Sequence, residues 1–144
     1  MRMPLARTVA NLRAGRGQRL LCAATAASAI PLGLEVYTNH YSGSFANKWM
    51  WAPVGLLPAL GVAAAAGVRS ERAARTALPA VSLLTVAAGA LGTVLHGRGI
   101  MRKPGGLAEA SYNLVTGPPL LAPGSLTMVG GIGLLAAVLR RERP

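Results

Sequence analysis

Two histidines and two carboxylates stand where chemistry would have to be done. His40 and His96 are the only imidazoles, and Glu35 and Glu109 are two of only four acids. Neutral imidazoles suit zinc, copper and iron, and a pair of them suits the axial positions of a b-type haem. Glu35 lies near the end of an apolar run, where a carboxylate is expensive and usually faces protein or water. It reads either as a group that binds a metal or cation or relays protons, or as a headgroup-level acid paired with Arg98 or Arg102. Thr38 and Asn39 follow it at i+3 and i+4, on its own helical face. The chain has no HxxxH or HExxH spacing, which would put two ligands on one helix turn. A haem, metal or quinone site would therefore be assembled from the first and third helices, His40 and Glu35 on one and His96 on the other, with Glu35 or Glu109 as a further ligand. The plainer alternative is a pair of interfacial histidines that hydrogen-bond loops. No Gly-rich phosphate loop, Ser-His-Asp set or spaced carboxylate pair is identifiable, so the sequence favours a non-enzyme.

These residues belong to two polar stretches. The first, 35–53, reads EVYTNHYSGSFANKWMWAP and holds Tyr37, Tyr41, Phe45, Trp49 and Trp51, five of the six aromatic residues. The second, 95–119, holds His96, Arg98, Arg102, Lys103, Glu109, Tyr112 and Asn113. Both are set between apolar runs at 20–37, 51–68, 78–96 and 120–139, each near the length that crosses hydrocarbon as a helix.

Composition agrees with a membrane protein. Charged residues make up 13% of the 144, about half the share of a soluble domain, and 52% are hydrophobic. The net charge of +11 could suggest nucleic acid, but a nucleic-acid-binding domain rarely devotes most of its length to uncharged apolar runs. The single cysteine, Cys22, excludes an internal disulfide and a Cys-based zinc cluster, and reads as a buried thiol.

The charges set an orientation. With both termini inside, the inner segments hold Arg2, Arg7, Arg13, Arg16, Arg19, Arg69, Arg72, Arg75, Arg140, Arg141 and Arg143, eleven in all. The outer segments hold four: Lys48, Arg98, Arg102 and Lys103. The expected fold is all-α, an integral membrane four-helix bundle, N-in and C-in, in a bacterial inner membrane. Residues 1–19 form a basic, poorly ordered cytoplasmic leader. Helices at about 20–38, 51–68, 78–96 and 120–139 make the transmembrane domain, and 140–144 a basic cytoplasmic tail. A signal peptide cleaved after Ala27-Ser28-Ala29 competes with the first span. Small residues at helical spacing, such as Ser82, Thr85, Gly89 and Gly92, predict close packing in lipid. Both polar stretches then share the outer side, with His40 and His96 at comparable depth and all the aromatics at one surface.

NHYSGSFANKWMWAPV and LHGRGIMRKPGG with YNLVTGPPLLAP resemble a family of small, uncharacterised four-helix bacterial inner-membrane proteins. The resemblance covers most of 20–140 and implies location rather than activity. The small multidrug resistance transporters also have four helices and a functional glutamate in the first, which Glu35 could mimic. Glu35 is near the membrane edge, however, the outer segments are long, and a bias of eleven to four excludes dual orientation.

Two functions are expected ahead of a small transporter. The first is a non-catalytic accessory or structural subunit. Its outer patch of Glu35, Tyr37, Asn39, His40, Tyr41, Trp49, Trp51, His96, Arg98, Arg102, Glu109, Tyr112 and Asn113 would bind lipid, a membrane-protein partner or another copy. The second is a redox or metal-binding protein, with His40, His96 and Glu35 holding haem b, a metal or a quinone.

Overall fold

The computed structural model describes residues 4–142. Arg2, Arg143 and Pro144, which enter the charge count and the ends of the leader and tail, lie outside them. The described chain is helical, with no named strand.

Four long helices are long and apolar enough to cross a membrane. They are α2 (Gln18–Ser42), α3 (Trp51–Arg69), α5 (Ala77–Met101) and α7 (Leu121–Val138). Three shorter helices accompany them: α1 (Pro4–Arg13), α4 (Glu71–Arg75) and α6 (Ala110–Thr116). A 3-10 turn, Lys48–Met50, leads into α3. The leader expected to be poorly ordered thus carries α1.

At 25 residues each, α2 and α5 are about 37 Å long, and both continue several residues past the apolar runs. At the polar end of α2 the hydroxyls bond back to their own helix: Thr38 Oγ1 donates to Leu34 O and Ser42 Oγ to Asn39 O. His40 and His96 are therefore helical residues near the ends of α2 and α5, not loop residues.

The long helices pack in the cyclic order α2, α3, α5, α7, with α7 closing against α2. The core runs along one face of each. Cys22, Ala29, Leu32 and Val36 of α2 meet Leu57, Leu60 and Ala64 of α3, and Leu126, Val129 and Ala136 of α7 complete it. Large apolar residues also point outward, including Ile30, Leu34, Val62, Leu84 and Met128. A helix apolar all round does not fit a water-exposed surface, and this pattern matches a lipid-facing one.

Between α5 and α7 the backbones nearly touch. A Cβ placed on Gly89 would meet Thr127 Oγ1 and Pro123 O, and one on Gly133 would meet Ser82 Oγ. Two buried hydroxyls are satisfied within their own helices, Thr25 on Leu21 O and Thr85 on Val81 O, each at 2.8 Å.

Candidate functional site: the histidine cleft

The site is built by the ends of α2 and α5 together with the starts of α3 and α7. Ser42 and Gly43 end α2, and the chain reverses through Ser44 (φ 54°) and Phe45 (φ 46°). Neither is glycine, so the left-handed conformation is strained at both. Phe45 is held there by stacking on Trp51, with ring centroids 4.0 Å apart and planes 10° apart. Asn47 Oδ1 then accepts the Trp49 N–H at 3.0 Å, closing the 3-10 turn that starts α3.

On the other side, the segment from α5 to α7 is tied down at three points. Asn113, almost fully buried, donates Nδ2 to Pro104 O and Gly106 O at 3.1 and 3.0 Å, fixing the turn through Gly105 (φ 80°) and Gly106 (φ 51°). Lys103 Nζ donates to Thr116 O and Oγ1 at the end of α6. His96 Nδ1 lies 2.8 Å from Pro119 O, just before α7.

Between these supports is a cleft of about 320 Å³. His40 and His96 both line it, with Asn47, Trp49, Met50, Pro53, Leu91, Leu95 and Pro118. The two histidines also share a smaller cavity of about 50 Å³ with Val36, Pro123 and Leu126. α2 and α5 are diagonal in the helix order, yet the cleft spans the gap between them.

Each imidazole is oriented by a backbone carbonyl: His40 Nδ1 is 2.7 Å from Val36 O, and His96 Nδ1 is 2.8 Å from Pro119 O. A carbonyl oxygen only accepts, so Nδ1 carries a proton in both rings. Nε2 is then the nitrogen left for a ligand, the arrangement found behind metal-bound histidines.

Not all the expected residues gather here. Glu35 is exposed on α2 and does not line the cleft. Its pairing with Arg98 or Arg102 is not present: among the described residues the ion pair is Arg75–Glu71 on α4. Arg98, Arg102, Glu109 and Asn39 are exposed and outside the cleft, and Asn113 serves the turn. Among the described residues no cluster of three or more His, Cys, Asp or Glu side chains could hold a metal ion.

The aromatic residues form a second feature beside the cleft. Tyr37 stacks on Tyr41 at 6.0 Å and contacts Phe45 at 5.9 Å, and Phe45 leads to Trp51 and to His40 at 6.3 Å. Tyr37, Tyr41, Trp49 and Trp51 remain largely exposed. Tyr112 is exposed too, apart from this row, with Lys103 Nζ 6.0 Å from its ring centroid.

Asn47 and Met50 line the cleft beyond the residues expected from the sequence. The signal available was an Asn two residues before a Trp at the start of an apolar run, an N-cap pattern. At the opposite end of the molecule lies a polar cluster that no sequence motif marks. Gln18, fully buried, accepts from Arg141, which also donates to Gly67 O and Val68 O, while Glu142 accepts the N–H groups of Arg19 and Leu20. Compared with protein-family models, curated proteins and solved structures, the chain matches none.

Proposed function

We propose that this chain is a four-helix bundle in a bacterial inner membrane, with both termini on the cytoplasmic side. It acts there as a non-catalytic accessory subunit whose outer aromatic face docks a membrane-protein partner or another copy. The orientation is supported by the eleven-to-four distribution of Arg and Lys. The docking role is supported chiefly by the exposed row of Tyr37, Tyr41 and Trp51, bound together through Phe45 at the histidine end. Tyr and Trp favour interfacial depth in any membrane protein. Rings stacked into one rigid surface also cost little entropy to dock, and such aromatic anchors dominate interfaces.

Two experiments test this. A cytoplasmic-type reporter fused after Pro144 should be active, and periplasmic-type activity there would refute the orientation. A photo-crosslinking residue at Tyr41 should give one discrete adduct in membranes, whereas the same residue at Val62 should give none. A diffuse or absent adduct at Tyr41 would sink the docking role.

The shared cleft favours a second reading, in which His40 and His96 bind a small ligand: haem, a metal or a quinone. Its support is that both rings line one cleft with Nδ1 held by a carbonyl. Metal analysis and a visible spectrum of the detergent-purified protein, wild type beside His40→Ala/His96→Ala, test for haem and metal.

A further inference from the structure

The chemistry of the ligand follows from what the two imidazoles still offer. With Nδ1 protonated and donated to a carbonyl, each neutral ring keeps only the Nε2 lone pair, a hydrogen-bond acceptor. Neither Nε2 has a hydrogen-bond partner among the described residues. The two rings that line the cleft thus have two acceptors to offer, and their complement is a ligand bringing two donors, or a cation.

A cation is the poorer match. Zinc sites use three or four protein ligands, and no third His, Cys, Asp or Glu accompanies this pair among the described residues. Met50, which lines the cleft, already uses its Sδ to accept the Asn47 N–H, with N and S 3.4 Å apart. A haem needs its whole four-pyrrole plane between the rings, which is more room than a cleft at the lower end of the ligand-pocket range provides.

A single ring with two hydroxyls does fit. At about 320 Å³ the cleft suits one substituted ring, and Trp49 supplies an aromatic wall. Leu91 and Leu95 belong both to the cleft and to the exposed apolar surface of α5. A ligand with an apolar tail can lay it there and enter sideways from the membrane.

We propose that the His40–His96 cleft binds the headgroup of a lipid-soluble hydroquinone, with one ring hydroxyl donating to each Nε2. This rests on the second reading above, that the cleft is a ligand site. The oxidised quinone carries two carbonyl oxygens, acceptors facing acceptors, so the site discriminates for the reduced form.

Calorimetric titration of the detergent-purified protein with a short-tailed benzohydroquinone, kept reduced under nitrogen, and with its quinone tests this. The hydroquinone should bind at one per chain and at least tenfold tighter than the quinone. His40→Ala and His96→Ala should each weaken it about tenfold, the loss of one hydrogen bond of about 1.4 kcal/mol. His40→Gln and His96→Gln keep an acceptor oxygen near the Nε2 position and should stay within about threefold of wild type. They also guard against an alanine variant that fails to fold. Equal binding of quinone and hydroquinone, or glutamine variants as weak as alanine, would overturn the hydroquinone assignment. Stoichiometric zinc or haem lost in the alanine variants would overturn it while leaving the ligand site intact. No binding of hydroquinone, zinc or haem by the wild-type protein would overturn both.

Discussion

Glu142 closes the N-terminus of α2 from the far end of the chain, its Oε1 accepting the Leu20 N–H at 3.0 Å while Oε2 takes that of Arg19 at 2.9 Å. The first N–H groups of a helix have no partners within it, and an anion there also meets the positive end of the helix dipole. Partial burial pushes the Glu142 carboxyl up, but the N–H groups of Leu20 and Arg19 and the charge of Arg19 outweigh it and hold it below its ordinary value. The ionised form therefore stabilises the fold at neutral pH. That contribution fades as pH falls from about 4.5, the ordinary value, through the lower folded one. Glu142→Gln should lower the melting temperature at pH 7, by the equivalent of about 1 kcal/mol. The gap to wild type should narrow as pH falls below about 4.5 and close once the folded carboxyl is protonated. A gap independent of pH would show that the carboxylate charge contributes nothing.

Arg141 does the corresponding work at the C-terminus of α3. Its guanidinium donates to Gly67 O at 3.1 Å and Val68 O at 2.6 Å, and to Gln18 Oε1 at 3.1 Å. It thus joins α2, α3 and the segment after α7, and supplies the donor to Oε1 of a fully buried Gln18, whose Nε2 donates to Leu139 O. Arg141→Ala should destabilise by about 2–3 kcal/mol, since a bond to a charged donor is worth more than a neutral one and the acceptors stay behind. Arg141→Lys should recover less than half, because an ammonium cannot span three acceptors as the planar fork does. Thermal unfolding in detergent measures both, and a full rescue by lysine would sink the fork argument.

The reversal after α2 should respond oppositely to two neighbouring changes. Ser44 stands at φ 54° with an exposed side chain, so Ser44→Gly should relieve strain and stabilise by about 0.5–1 kcal/mol. Phe45 is equally strained at φ 46° but stacks on Trp51, so Phe45→Ala keeps the strain, loses the stacking and should destabilise by about 1–3 kcal/mol. Melting curves of the two variants, with Trp fluorescence as the readout, check the signs. A stabilising Phe45→Ala would mean that the ring does not hold the turn.

The sequence disclosed the long helices because an apolar run the length of a bilayer has few other uses. It did not disclose where the helices end. Hydropathy falls at Thr38 and Gly97, but the backbone continues to Ser42 and Met101, since helix ends follow capping and not hydropathy. The depth of His40 and His96 could be counted along their helices. Their common cleft could not, because it depends on α2 and α5 lying diagonally with the turns before α3 and α7 filling the corners. Glu35 shows the same limit. It directly precedes buried Val36, about 100° around the helix, and α2 is apolar on all faces, so no periodicity marks which side looks inward. In the sequence Arg141 enters only the orientation count, and Glu142 carries no signal at all. Counting charge is blind to a guanidinium or carboxylate that caps a helix terminus.

The α5–α7 seam is where a single methyl group should matter most. A Cβ at Gly89 would sit against Thr127 Oγ1 and within 2.7 Å of Pro123 O and Thr127 N, two backbone atoms that cannot rotate away. Gly133 faces Ser82 Oγ, the buried side-chain polar atom without a hydrogen-bond partner among the described residues. Gly124 and Gly131 of the same helix have nothing within 4 Å of a Cβ. In ordinary helices Gly→Ala gains up to about 1 kcal/mol from propensity alone. Gly124→Ala and Gly131→Ala should therefore be neutral or stabilising. Gly89→Ala should push α5 from α7 and cost at least about 2 kcal/mol, overpacking exceeding propensity. Because α5 also carries His96, Leu91 and Leu95, Gly89→Ala should weaken hydroquinone binding as well, whereas Gly131→Ala should leave it unchanged. Unfolding and titration of the same four proteins separate these effects. A Gly89→Ala protein as stable as Gly131→Ala would mean that the two backbones are not in contact along this seam.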